Sequence, residues 1–272
     1  MPELPEVETT IRGLKPMIGS TIINIKINTP KLRFIIPKNI SLLTKVKIIS
    51  IKRKGKFIIF LLSNEHTIIL HLGMSGRLRL FEVNKFEQKK HDHFILRTNH
   101  DHLLAFNDAR RFGFIDYGKT KNMLERKYIL SLGRDALGDN LNVMYLLSKI
   151  SNTTVPIKQI LLNQQIIAGI GNIYACEILF NARISPLVQG KDINLSQCKK
   201  IIISTKIILK KAIKHGGSTL RDYVSVDGTL GNFQSNFKVY KQENKKILGK
   251  TVKKIVQYGR STYYCPDLQK IK

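Results

Sequence analysis

The chain contains no tryptophan, only three cysteines and eight prolines, and far fewer acidic than basic residues. Cys176, Cys198 and Cys265 are too few and too widely spaced for a disulfide framework. The longest apolar runs, such as residues 58–62 and 68–70, fall far short of the ~20 residues that a bilayer-spanning helix needs. The first residues, MPELPEVE, lack the apolar segment of a secretory signal. We therefore expect a cytoplasmic protein without a membrane segment.

Positive charge and apolar residues are abundant. The 272 residues include 46 Lys and Arg against 19 Asp and Glu, a formal net charge of +27, and 43% are hydrophobic. This composition supports folded cores in roughly two domains. The charge favours a nucleic-acid partner, because each cation near a phosphate releases condensed counterions. A general bias towards lysine, isoleucine and asparagine also contributes, and charge alone does not separate an enzyme from an architectural or ribosomal protein.

Hydrophobic periodicity divides the chain into regions with helical and with β-strand patterns. Residues 5–17 have helical spacing, and a series of short β-rich runs follows, typical of a sandwich or barrel. These runs are TIINIKI, KVKIISIKR, KFIIFLL, HTIILHL, RLRLFEV, HFILRT, LLAFND and FGFIDY. From about residue 122 the pattern predicts helices over 122–133, 142–150, 155–165, 172–182 and 195–216. A segment rich in Gly and Ser follows at 216–233, and the β pattern returns around a turn at 258–261.

The N-terminus offers a nucleophile. Methionine is normally removed before a small residue, which would expose Pro2 as a secondary amine. An α-amine has a pKa of ~7.7–8.0, so a useful fraction is neutral near pH 7, and the nearby helix start disfavours its charged form further. Glu3 beside it could act as an acid or base. The alternative is that Pro2 simply begins a helix and Glu3 decorates its first turn.

Seven further motifs follow in order along the chain. They are RKGKF (53–57), HLGMSGRL (71–78), KHDH (90–93), DARRFG (108–113), AGIGNIYACE (168–177), GGSTLRDYVSVDG (216–228) and YGRSTYYC (258–265). Together with PELPEVETT they resemble the bacterial formamidopyrimidine-DNA glycosylases over essentially the whole chain. The resemblance implies a base-excision repair enzyme that removes 8-oxoguanine and formamidopyrimidines through an N-terminal proline Schiff base and then cleaves the abasic strand by β,δ-elimination. Two alternatives remain: a pyrimidine-directed glycosylase like endonuclease VIII, which typically has Gly where this chain has Leu4, and a drifted, non-catalytic duplex binder.

The fold implied by this resemblance is α+β and multidomain. It comprises an N-terminal β-sandwich with an N-terminal helix at 1–121 and a helix–two-turn–helix domain at 122–234. A C-terminal β-hairpin finger follows at 235–272. The segment 216–233 would be a lesion-capping loop within the helical domain. The expected partner is damaged double-stranded DNA, bound by a monomer.

Catalytic roles are assigned by the resemblance to four residues: Pro2, Glu3, Lys56 and Arg260. Lys56 and Arg260 would hold the phosphates that flank the lesion. Taken alone, Lys56 is more simply a surface lysine in a turn. DNA binding is assigned to His91 in its polar loop and to Asn172, which opens a helix after a glycine-rich turn.

The flipped nucleotide leaves a hole in the duplex that apolar or planar side chains must fill. The resemblance assigns this task to Met74, Arg110 and Phe112, whereas ordinary core packing is the alternative for Met74 and Phe112. The family usually has proline where this chain has Ala109, and a DNA-binding lysine where it has Thr153 or Thr154. Lesion recognition is assigned to residues at the helix start and in the capping loop: Glu6, Ser218, Thr219, Arg221 and Tyr223.

The finger departs from the family pattern. Relatives typically end in a four-cysteine zinc finger, but only Cys265 remains here, and the other three positions are Lys245, Leu248 and Leu268. Structural zinc needs four ligands, so we expect a zincless finger and no metal or other cofactor. An apolar cluster is expected to replace the metal, formed by Ile247, Leu248, Val252 and Leu268 with Tyr263 behind them.

Overall fold

The computed structural model describes residues 1–219, 225–226 and 228–270. It has two compact units, one formed by residues 1–130 with 215–232 and the other by residues 131–214 with 233–272. These units divide the chain differently from the three segments expected from the sequence, and those domain boundaries stay a prediction.

The first unit begins with helix α1, Leu4–Gly13, followed by a 3-10 turn at Lys15–Met17. The predicted helix over 5–17 is therefore two elements, because Pro16 has no N–H to continue the α-helical ladder. Val7 and Leu14 are buried and join the core of this unit, so the predicted apolar face is confirmed.

All eight β-rich runs of the sequence form strands. They are β1 Thr21–Ile27, β2 Val46–Lys54, β3 Phe57–Leu62, β4 His66–His71, β5 Arg77–Glu82, β6 Asp92–Thr98, β7 His102–Asn107 and β8 Phe114–Lys119. Every pair is antiparallel, in the order β5-β7-β6-β1-β2-β3-β4-β8.

This sheet consists of two four-stranded halves. They are joined by a short β1–β2 pairing, at Thr21↔Lys47 and Ile22↔Val46. Phe94 and Phe106 from one half and Phe60 and Ile68 from the other belong to a single buried cluster. Two antiparallel layers around one core are the arrangement of a β-sandwich, which confirms the expected fold.

Two short helices close the first unit, α2 at Thr120–Leu124 and α3 at Lys127–Leu130. The sequence predicted one helix over 122–133. Met123 and Ile129 are both fully buried, although a continuous helix would place them about 120° apart around its axis. The break between α2 and α3 allows both side chains to face the interior.

The second unit contains helices α4 Val143–Ile150, α5 Ile157–Leu162, α6 Asn172–Asn181 and α7 Leu195–Lys214. It also contains the paired strands β9 Arg134–Asp135 and β10 Ile167–Ala168. Helix α6 is buried at every position from 173 to 180, which makes it the central element of this unit. Among the described residues no helix is long and apolar enough to cross a membrane.

Two hairpins end the chain: β11 Lys246–Ile247 with β12 Lys250–Thr251, and β13 Lys253–Gln257 with β14 Arg260–Tyr264. In the second hairpin Gln257 pairs with Arg260, which leaves Tyr258 and Gly259 as a two-residue turn. Their φ angles of 49° and 71° match the turns that suit the twist of a tight hairpin. The turn predicted over 258–261 is confirmed in position but is shorter, because Arg260 and Ser261 already belong to β14.

Candidate active site and DNA contacts

The chain start is held by reciprocal hydrogen bonds. Glu3 is the N-cap of α1, where its side chain accepts from the Glu6 backbone while its own N–H donates to Glu6 Oε2 at 2.9 Å. Glu3 and Glu6 are 3% and 1% exposed. Pro2 is buried next to them, and Met1 is half exposed. A capping box of this kind satisfies two backbone donors and fixes the backbone that follows Pro2.

Glu6 also joins α1 to the segment expected to cap the lesion. Its Oε1 accepts from the Ser218 backbone at 2.7 Å and from the Ser218 hydroxyl at 3.0 Å. At Gly217, which has φ +76°, a Cβ would lie 3.0 Å from the same oxygen, so glycine permits this close approach. Gly231 N donates to Thr219 Oγ1 at 2.9 Å, which brings the two ends of the segment together.

Glu6, Ser218 and Thr219 therefore form the base of the expected capping loop. Arg221 and Tyr223, the other two residues predicted to recognise the lesion, lie outside the described residues.

Lys56 occupies the second position of a two-residue hairpin turn between β2 and β3. Gly55 precedes it with φ +57°, a conformation that favours glycine. Arg53 donates to the Gly55 carbonyl at 3.2 Å and to Glu8 of α1 at 2.9 Å, which ties the turn to the N-terminal helix. Lys56 itself is only 6% exposed, unlike an ordinary surface lysine.

His71 is a site residue that the sequence reasoning missed. Burial, and then the charges of Lys56 and Arg33, lower the pKa of His71 to about 4. Its neutral ring therefore accepts a hydrogen bond through Nδ1, from Gly73 N at 3.1 Å. The sequence contained a feature that could have identified this residue, because His71 is the first residue of the HLGMSGRL motif and follows an apolar run.

Met74, Arg110 and Phe112 lie in two exposed turns of the first unit. Met74 is 40% exposed and Phe112 44%, so neither is a core residue. The Arg110 guanidinium lies 4.9 Å from the centre of the Phe112 ring, a cation–π distance. Exposed apolar side chains beside a planar cation are suited to entering a stack of bases.

A buried aspartate connects these two turns. Asp108, fully buried, accepts from Ser75 Oγ at 2.5 Å, from Arg110 N at 3.3 Å and from Gly113 N at 2.8 Å. Gly73, with φ +64°, lies so close to Gly113 that a Cβ would be 2.4 Å from its nitrogen. Asp108 was also missed, although it stands first in the DARRFG motif.

His91 is attached to the same aspartate through the backbone. Its carbonyl accepts from Asp108 N at 3.0 Å, and its ring centre lies 6.2 Å from that of His93. His93 contacts Thr29 Oγ1 and the Asp108 carbonyl, while Asp92 pairs with Arg79 at 2.8 Å. His93 and Asp92 are therefore structural, whereas the half-buried His91 lies next to the turn of Arg110.

Arg260 lies in the second unit, whereas Pro2, Glu3 and Lys56 lie in the first. Arg260 is exposed at the start of β14. Asn172, the first residue of α6 after the N-cap Gly171, donates from Nδ2 to the Ser261 carbonyl at 2.9 Å. The structure thus brings Asn172 next to the β13–β14 hairpin that carries Arg260.

The apolar cluster expected in the finger is only partly as predicted. Val252 is fully buried with Cys265, and Ile247, Tyr263 and Leu268 pack against them. Leu248, however, is 75% exposed, so its predicted place in the cluster is wrong. Its φ of +49°, followed by Gly249 at +73°, puts it in the β11–β12 turn, where its side chain is directed to solvent.

Residues outside the finger's predicted set supply the rest of this apolar cluster. Cys176 and Phe180 of α6, together with Val239, complete it. Among the described residues no group of three or more His, Cys, Asp or Glu side chains could hold a metal ion. The donor set therefore does not fit a four-ligand zinc site.

Comparison with known proteins identifies the family. Residues 1–115 match the model of the formamidopyrimidine-DNA glycosylase N-terminal domain, and residues 132–224 match that of its H2TH domain. The chain belongs to the formamidopyrimidine-DNA glycosylase family. Family relatives from Zymomonas mobilis and Rickettsia bellii are 43% and 39% identical, each match covering 99% of this chain and the whole relative.

Solved structures agree with this assignment. The fold resembles that of a point mutant of the Lactococcus lactis enzyme in complex with a DNA that contains Fapy-dG, with a TM-score of 0.91, 32% identity and coverage of 99% and 100% of the two chains. It also resembles the Thermus thermophilus enzyme, with a TM-score of 0.88, 33% identity and 98% coverage of both chains. The family inferred from the motifs is confirmed, and the chain is a DNA glycosylase of the base-excision repair type.

Proposed function

We propose that this glycosylase is bifunctional, that it acts on damaged double-stranded DNA as a monomer, and that oxidised purines are its preferred lesions. After loss of Met1, the Pro2 nitrogen attacks C1′ of the damaged nucleotide. The new N–C1′ bond displaces the base, which leaves with the electrons of its bond to C1′, and the Pro2 nitrogen gives up its proton. The C1′–O4′ bond then breaks, O4′ takes up a proton, and an iminium links Pro2 to the opened sugar. β-Elimination and then δ-elimination break the C–O bonds to the 3′ and 5′ phosphates and leave a one-nucleotide gap.

The predicted residues that the structure describes have the following roles in this scheme. Glu3 transfers protons to and from the sugar, and Lys56 and Arg260 hold the flanking phosphates. His91 and Asn172 contact the DNA backbone, while Met74, Arg110 and Phe112 fill the space that the flipped nucleotide leaves. Ser218 and Thr219 belong to the base of the loop that covers the lesion, and Glu6 anchors it.

The observation that carries the proposal is the buried capping box at the N-terminus. A helix start on the surface would be capped equally well by exposed residues. Here both carboxylates are nearly inaccessible to water, and Pro2 is buried beside them. Removing water strengthens the interactions between a carboxylate and a reacting sugar, which supports Glu3 as a proton-transfer group.

The proposed preference is for oxidised purines over oxidised pyrimidines. One complex of the Lactococcus lactis enzyme holds a Fapy-dG DNA, and another holds a DNA with an oxidised pyrimidine. The second complex favours the pyrimidine-directed alternative as a secondary activity. Excision measured on 8-oxoguanine and thymine-glycol duplexes separates the two, and we expect the faster reaction on 8-oxoguanine.

We also infer that the finger works without zinc. Three of the four ligand positions carry Lys245, Leu248 and Leu268, and the one remaining thiol, Cys265, is buried among apolar side chains. The apolar packing of the finger against α6 takes over the structural task of the metal.

Borohydride trapping on an 8-oxoguanine·C duplex tests the proposal directly. Borohydride reduces an iminium to a stable amine, so enzyme with a free Pro2 should become covalently linked to the DNA. Protein extended by one residue at the N-terminus should lose trapping altogether, while its affinity for the duplex persists.

Adduct formation by the blocked protein would show that a lysine is the nucleophile and would contradict the role of Pro2. Absence of trapping by both proteins, with binding intact, would favour the non-catalytic binder.

A further inference from the structure

Lys158 is a buried lysine with no role in the mechanism above. It lies in α5 and is 0% exposed, although lysine is among the residues least often fully buried. A buried ammonium loses its hydration, and this costs free energy unless its N–H groups find acceptors. The acceptors that it contacts therefore indicate what it does.

Those acceptors belong to the hairpin that carries Arg260. Lys158 Nζ donates to Thr262 Oγ1 at 2.7 Å and to the Ser261 carbonyl at 3.3 Å. Ser261 and Thr262 are the two residues that follow Arg260 in β14. The contacts span more than a hundred residues of sequence, so they fix one element against another rather than stabilise a local turn.

A small hydrogen-bond network extends from the ammonium. The Thr262 hydroxyl donates in turn to Gln257 Oε1 at 2.9 Å, on the other side of the Tyr258–Gly259 turn. The Ser261 carbonyl accepts a second bond from Asn172 Nδ2 at 2.9 Å. Both strands of the hairpin are therefore held beside the turn. The Lys158 ammonium donates to Ser261 and to Thr262, the two residues that follow Arg260.

We propose that Lys158 is a positioning residue for Arg260. The ammonium fixes the backbone of Ser261 and the side chain of Thr262, and so sets the direction in which the Arg260 guanidinium leaves the hairpin. A planar guanidinium needs a defined orientation to donate two parallel hydrogen bonds to a phosphate. This inference rests on the proposed role of Arg260 in phosphate binding.

A double-mutant cycle tests it. We compare Lys158→Met, Arg260→Ala and the double variant for affinity towards a duplex with an abasic-site analogue. Methionine fills the space of the lysine stem without its charge, so the fold should be retained. Lys158→Met should weaken binding roughly tenfold in the wild-type background, and this effect should nearly vanish when Arg260 is already absent.

The matched control is Lys253→Met, which removes an exposed lysine from the same hairpin at the end away from the turn. It lowers the net charge by the same amount and should change affinity far less than Lys158→Met. Equal losses in the two variants would mean that Lys158 acts only through net charge and would overturn the proposal.

Thr262 supplies a second, gentler test if Lys158→Met fails to fold. Thr262→Val removes the acceptor with little change in shape and should weaken binding several-fold, whereas Thr262→Ser keeps the hydroxyl and should restore it. Equal affinity of the two Thr262 variants would overturn the proposal, as would a Lys158→Met loss of the same size with and without Arg260. If Arg260→Ala alone binds like wild type, the proposed role of Arg260 fails, and the inference fails with it.

Discussion

Individual buried polar residues organise the candidate site of the first unit. Glu6 accepts hydrogen bonds from both the chain start and Ser218, and Asp108 does the same for two turns of exposed residues. A carboxylate that accepts several N–H groups holds them in fixed positions, because leaving any of these donors unpaired in the interior is costly. Such residues position others from within the protein interior.

His71 should make the free energy of unfolding depend on pH. Because its pKa is lowered to about 4 in the folded protein, the unfolded chain binds a proton at a higher pH than the native state does. His71 should therefore lower the free energy of unfolding as the pH drops from about 6.5 towards 4, by up to about 3 kcal/mol, and its contribution should not grow further below that pH. Urea unfolding across this range measures it.

His71→Gln retains an acceptor for Gly73 N but has no titrating ring, so this part of the pH dependence should disappear. His100→Gln, in the exposed β6–β7 turn, is the matched control and should keep it. If His71→Gln shows the same loss of stability with falling pH as wild type, other groups cause that loss.

At the scale of elements, the functional residues lie in turns that rigid strands hold in place. The Gly55–Lys56 and Tyr258–Gly259 turns each connect two strands that pair directly up to the turn, and both use positive φ angles. A two-residue turn on a paired hairpin has little freedom. The side chains at or beside it are therefore presented with the precision that phosphate contacts require.

Met74, Arg110 and Phe112 should act together in filling the space that the flipped nucleotide leaves in the duplex. Replacing all three by alanine removes the groups that offset the cost of unstacking a base, which is a few kcal/mol. Excision from an 8-oxoguanine duplex should slow by roughly 100-fold, and cleavage of a pre-formed abasic site should slow far less. The single substitutions should be non-additive.

Single-turnover kinetics on the two substrates provide the measurement. Asp108→Asn leaves the three side chains in place but weakens the hydrogen bonds that connect their turns, so it should reproduce part of the effect. Equal losses on both substrates would indicate a general folding defect instead.

On the scale of the whole molecule, two compact units share a net charge of +27. In the second unit, the finger packs an apolar cluster against α6, and Glu177 of α6 accepts backbone N–H bonds from Lys238, Val239 and Tyr240. This combination of packing and hydrogen bonding joins the C-terminal segment to the helices.

We therefore predict that the enzyme is indifferent to chelation. Elemental analysis should find substoichiometric zinc, and incubation with a strong chelator should leave both trapping and the thermal unfolding midpoint unchanged. The free energy that a metal supplies to small zinc peptides, ~10–16 kcal/mol, would otherwise be lost. One tightly bound equivalent of zinc, or a loss of activity on chelation, would contradict the prediction.

The sequence determined the strands, the principal helices and the family. Alternation of apolar residues is a local property, and each β-rich run needed only its own residues to be recognised. The order of the motifs likewise named the candidate residues Pro2, Glu3, Lys56 and Arg260 without any coordinates. The single helix predicted over 122–133 was wrong, since the chain forms two short helices whose break allows both Met123 and Ile129 to be buried.

Only the tertiary structure decided which residues hold the others in position. Asp108, His71 and Lys158 look like ordinary polar residues in the sequence, since their partners lie far away along the chain or depend on the shape of a turn. Leu248 was assigned to the core by its side chain alone, but its left-handed backbone turns it to solvent. Burial and hydrogen bonding across the fold are non-local, so periodicity identifies the elements and folding alone determines their contacts.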